Sequence, residues 1–172
     1  MENICKIIVL ALCLMLPQSA FAKVLQHKRF SNWVYLDVQY LSGKISCQAT
    51  QCISEHCSLN KNFLFNAGRG QRLAVPEFNQ GAEYPTNSTV QLNIGNKSFK
   101  LTNSNPKNKR FYFPKTGNEV IQINRLLLSL AKTTRNGKFH VIDRNGQKRV
   151  FSVRGLDRVF SEIERKCGVP LP

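Results

Sequence analysis

The residues with the most evident capacity for chemistry are Cys47, Cys52, His56 and Cys57, the one stretch where thiols and an imidazole crowd together. Thiolates and imidazole can hold zinc, and a thiol beside His56 can act as a nucleophile. Four residues separate each successive cysteine pair, and no C-x-x-C pair is present, which departs from common zinc frameworks. The remaining histidines are His27, near the start of the expected mature chain, and His140. The latter alternates with Phe139 and Val141 and reads as a sheet residue, with Asp143 close by as the only hint of an acid-base pair. No G-x-S-x-G, H-E-x-x-H, phosphate-cradling glycine loop or C-x-x-C-H motif occurs, so no catalytic residue, metal site or cofactor is expected.

The compartment decides what the thiols do. Residues 7–16, IIVLALCLML, form a short apolar run followed by Pro17 and the small-x-small triplet Ala20-Phe21-Ala22. This predicts a secretory leader over 1–22, cleaved before Lys23, and a single β-rich domain over 23–172 in the periplasm or outside the cell. The run is too short to span a bilayer and no later segment approaches the necessary length, so no transmembrane segment is expected after cleavage. Cys47, Cys52, Cys57 and Cys167 survive cleavage. An even number in an oxidising compartment favours two disulfides over a metal site, with three possible connectivities.

Charge is the second signal. The chain is formally +15, and losing the leader leaves that value unchanged because Lys6 and Glu2 cancel. Lys107, Lys109 and Arg110 precede Phe111-Tyr112-Phe113, while Arg144, Lys148 and Arg149 crowd a turn, with Lys132, Arg135 and Lys138 just before it. These residues predict a cationic surface for an anionic partner such as lipid headgroups, lipopolysaccharide, a cell-surface glycan or nucleic acid. Alternation in KRFYFP would bury Phe111 and Phe113 and expose Tyr112, which disfavours a base-stacking platform and makes nucleic acid the weaker choice. The bland alternative is a solvated face that maintains solubility.

Positioning these groups requires a largely extended chain. NWVYLDVQY (32–40) and KISCQAT (44–50) read as strands paired across Ser42-Gly43. Residues 51–70 lack a sustained period and read as a long loop pinned by cysteines. QRLAV (71–75) reads as a short strand stopped by Pro76. Val90, Leu92 and Ile94 alternate with polar residues, Gly95-Asn96 turns the chain, and Phe99 and Leu101 continue the pattern, predicting a hairpin. KRFYFP (109–114) predicts another strand. A second hairpin spans 138–153 around a type I′ turn at Asn145-Gly146. One helix is expected over 119–132, burying Val120, Ile123, Leu127, Leu130 and Ala131. Another carries Leu156, Val159, Phe160, Ile163 and Cys167 on one face, with Asp157, Arg158, Glu162, Glu164, Arg165 and Lys166 opposite. The fold class is therefore β-rich α+β: a single antiparallel sheet, partly closed barrel or sandwich with two short helices, the last turned so that Cys167 points inward.

Several of these pieces fall in a familiar order. Trp33-Val34-Tyr35, Cys47-Gln48-Ala49, Arg69-Gly70, Gly81-Ala82-Glu83-Tyr84-Pro85, Ile94-Gly95, Phe99-Lys100-Leu101 and Phe151-Ser152-Val153-Arg154-Gly155-Leu156, ending at Cys167, resemble the invasion associated locus B family of extracytoplasmic bacterial proteins. The resemblance implies a compact exported β-rich domain, pairing of Cys47 with Cys167 and of Cys52 with Cys57, and a link to host-cell invasion. It carries over no catalytic residue. The expectation is thus a non-enzymatic exported protein that binds an envelope or host-surface component. The alternatives are an envelope enzyme with an unrecognised site and a purely structural envelope protein.

Overall fold

A computed structural model describes residues 23–51, 62–104, 106 and 109–170. The leader, Cys52, His56, Cys57 and Lys107 lie outside the described residues. In chain order the elements are β1 (Lys23–Phe30), β2 (Trp33–Gln39), β3 (Ile45–Gln51), β4 (Phe63–Gly68), β5 (Val75–Asn79), β6 (Thr89–Ile94), β7 (Lys97–Thr102), β8 (Phe111–Tyr112), α1 (Gly117–Thr133), β9 (Lys138–Ile142), β10 (Lys148–Ser152) and α2 (Leu156–Cys167).

These strands form two antiparallel sheets rather than one, with orders β1-β2-β3-β4-β5-β8 and β10-β9-β6-β7, and neither closes into a barrel. Phenylalanines join them. Phe63 lies 4.9 Å from Phe139 and 5.6 Å from Phe151, while Phe65 meets Phe160 of α2 at 4.7 Å and Trp33 at 5.5 Å. Two corners are also stitched by hydrogen bonds. Thr102 and Phe113 exchange both backbone bonds, and the Gln51 side-chain amide exchanges two with the backbone of Ser152, at 2.7 and 2.6 Å. The glutamine thereby pairs the outer backbone edge of Ser152, whose carbonyl also accepts from the Trp33 indole N–H at 3.0 Å.

Four local expectations are corrected. Phe63–Gly68, expected within a loop, is strand β4; Phe63, Phe65 and Ala67 face the core and Leu64 is buried as well, so no period-2 signal survives. Pro76 lies inside β5 instead of ending a strand. It opposes Phe65 on one side, while β8 pairs only with Phe78 and Asn79 on the other, so the missing N–H falls on an open edge. Tyr112 is fully buried and Phe111 and Phe113 are half-buried, the reverse of the expected facing. The β9–β10 connection is not type I′: of its residues only Gly146 has positive φ, 73°, and Asp143 N–H bonds Gln147 C=O across a three-residue Arg144-Asn145-Gly146 loop.

The β6–β7 hairpin forms in the expected register, with Ile94 opposite Lys97 and Gly95 at φ 57°. Helix α1 opens with a capping box between Thr116 and Glu119 and buries Val120, Ile123, Leu127 and Leu128. Helix α2 enters through Gly155 at φ 88°, where an added Cβ would stand 2.3 Å from the Phe30 carbonyl oxygen. Its far end is fixed by the Cys47–Cys167 disulfide, with Cα atoms 6.2 Å apart. The bond spans 120 residues of sequence, a loop worth about 5 kcal/mol in the chain-entropy model. Among the described residues no helix is long and apolar enough to cross a membrane.

Candidate functional site

Of the expected basic residues, Lys109, Arg110, Arg144, Lys148 and Arg149 gather at one end of the four-stranded sheet, and the connector between β5 and β6 explains how. Gln80 N–H donates to the Arg110 carbonyl at 2.9 Å, and Tyr84 N–H donates to the Lys109 carbonyl at 3.2 Å. The same two residues reach the β9–β10 turn: Arg144 N–H donates to Gln80 Oε1 at 3.2 Å, and the Tyr84 hydroxyl donates to Asn145 Oδ1 at 3.1 Å. Two basic segments far apart in sequence are therefore strapped together by backbone and amide bonds. A buried Gln80 makes the strap rigid.

Within this end the cations have different duties. Lys109, Arg144 and Lys148 are exposed, and none forms an ion pair among the described residues. Arg110 lies 3.7 Å from Glu83, with both side chains more than half exposed, a contact of little energetic weight. Arg149 is half-buried and donates to Asp143 Oδ2 at 3.1 Å. Lys132, Arg135 and Lys138, which adjoin these residues in sequence, lie toward the opposite end of β9.

The only hinted acid-base pair is occupied by structure. Asp143 is buried and accepts from Asn145 N–H at 2.9 Å, Gln147 N–H at 3.0 Å and Arg149. Burial alone would raise its carboxyl, but the Gln147 and Arg149 bonds outweigh this and hold it below the usual range. His140 is half-buried in β9, and burial together with Lys148 keeps its imidazole below the ordinary value. Asp143 builds the turn, and its side chain is fully enclosed.

The disulfide corner is likewise filled. The Tyr35 hydroxyl lies 3.0 Å from Cys47 Sγ and donates to Asp37, while burial, then Asp37, pushes its pKa far upward. Both cysteines of this bond are buried. Glu162, expected on the solvent face of α2, turns inward to accept from Lys28 at 2.8 Å and from Arg165. The Arg165 bond, against an opposing burial effect, and then Lys28 hold its carboxyl below the usual range.

Sequence reasoning missed a different place. A cleft of about 700 Å³ opens along β3, β4 and β5, lined by Tyr40, Lys44, Ser46, Asn66, Arg69 and Glu77 among others. Burial pushes the Glu77 carboxyl up to about 7, with an opposing hydrogen bond from Asn66. No motif marks it, because its lining converges from three strands. The weak trace in sequence is a carboxylate set directly between Pro76 and Phe78 in a short strand.

No family model, curated protein or solved structure matches the chain. The site is read from its own chemistry.

Proposed function

We propose that this is an exported, non-enzymatic protein that binds an anionic component of an envelope or host surface through the end bearing Lys109, Arg110, Arg144 and Lys148. The single observation carrying the reading is the Gln80 and Tyr84 strap, which holds two separate basic segments side by side. Exposed cations attract polyanions, and among these only Arg110 has an acidic neighbour within the described residues; fixing them in place lowers the ordering cost of binding. Lys107 adjoins this group in sequence. Arg149 belongs to the turn rather than to the contact surface. The disulfide supports an oxidising compartment, and the resemblance to the invasion associated locus B family supports export and a link to host-cell invasion.

A chain this basic will bind many polyanions through bulk charge alone, so the test compares two triple reversals. Lys109→Glu, Arg144→Glu and Lys148→Glu alter the proposed surface; Lys97→Glu, Lys132→Glu and Arg135→Glu make the same charge change at the other end of the sheet. On immobilised heparin and on anionic lipid vesicles, the first set is expected to lower the salt needed for release well below the second. Equal shifts from both would overturn the reading.

A further inference from the structure

The cleft on the six-stranded sheet is a built cavity. Ser46 on β3 donates its hydroxyl proton to Asn66 Oδ1 on β4, which fixes the amide so that its nitrogen faces Glu77 on β5. The Asn66 amide opposes the desolvation of this carboxyl, and Glu77 lines the open volume. Among the described residues no lysine or arginine forms an ion pair with it, although Lys44 and Arg69 line the same cavity. Tyr40, Ile45 and Val75 supply apolar wall between them.

Such an arrangement has a chemical complement. A half-buried carboxylate lining open volume with no ion pair among the described residues calls for a positive donor from outside. Separately placed cations at the rim call for an anion. We propose that this cleft binds a short peptide with free ends, its ammonium group seated against Glu77, its carboxylate toward Lys44 and Arg69, and its apolar body along Tyr40, Ile45 and Val75. A lone cation would meet the unfavourable field of the rim and of the whole basic protein, whereas a zwitterion presents each end to an opposite charge. The proposal does not depend on the cationic end near Arg144.

The titratable groups facing the cavity are Tyr40, Lys44, Arg69 and Glu77. Because the Glu77 carboxyl is raised toward neutrality, ammonium binding must draw off its proton, and affinity should weaken several-fold from about pH 8 to about pH 6.

Calorimetric titration of the whole protein with alanyl-leucyl-alanine, its N-acetyl form and its C-terminal amide tests the assignment. The free peptide should bind; acetylation or Glu77→Gln should each weaken it by about tenfold or more, and amidation or Lys44→Ala with Arg69→Ala by a smaller factor. The acetylated peptide probes the unaltered protein, so that arm is independent of any variant's folding. Absence of free-peptide binding at millimolar concentration, or equal binding of the free and acetylated forms, would overturn the proposal.

Discussion

The corner beneath α2 and the cleft over β5 both place a carboxylate in the body of the protein, yet they treat it oppositely. Glu162 meets Lys28 and Arg165 and is held below the ordinary carboxyl range. Among the described residues Glu77 has no ion pair, and burial, opposed by the Asn66 amide, lifts it to about 7. A carboxylate that stabilises a fold is given cations by that fold; one left without them depresses stability and remains available to something else. The first region locks the end of the chain, and the second keeps an unmet charge.

The largest test of this contrast removes the lock. Replacing Cys47 and Cys167 with alanine should lower unfolding free energy by up to about 5 kcal/mol in denaturant titrations. A loss below about 1 kcal/mol would mean that the packed face of α2 holds the corner unaided. Next comes the helix entry. Gly155→Ala forces a Cβ against the Phe30 carbonyl at positive φ and should cost about 3 kcal/mol, visible as a lowered melting temperature.

The cleft carries the opposite sign. Glu77 has a folded pKa above its unfolded value, so the folded state binds more protons between about pH 4.5 and pH 7, and stability falls as pH rises through that window. Glu77→Gln should therefore stabilise the protein at about pH 8, by up to about 3 kcal/mol, and leave it little changed at about pH 4. Equal effects at both pH values would show that the carboxyl is not buried as described. For Glu162 the folded pKa is depressed, so its contribution is present above the unfolded value and is lost as pH falls through the folded one. Glu162→Gln should cost about 1 kcal/mol near neutrality and progressively less in acid, a modest figure because Lys28 and Arg165 can return to water.

Legibility in the sequence followed how local each cause was. The β6–β7 hairpin reads directly because alternation and a Gly-Asn turn lie within one short segment. The apolar stripe of α2 reads directly for the same reason, and Cys167 on that stripe meets Cys47 as the family resemblance implied. Strand β4 did not read, because burial on both faces erases alternation. Tyr112 was misplaced because β8 is only two residues long, and its hydroxyl finds Ser88 at 3.1 Å through tertiary packing. Glu162 does not read because charge suggests solvent, while Lys28 of β1, distant in sequence, supplies an ion-pair partner.

The sequence by itself determined a basic, β-rich chain with two amphipathic helices and an inward-facing cysteine near its end, since composition and short-period patterns carry those properties. Only the tertiary structure decided that the strands divide into two sheets, that Gln80 and Tyr84 draw separated cations together, and that Glu77 is left facing a cavity. Each depends on which distant backbone or side-chain groups become neighbours, and hydrogen-bond partners and desolvation are properties of that neighbourhood rather than of residue order.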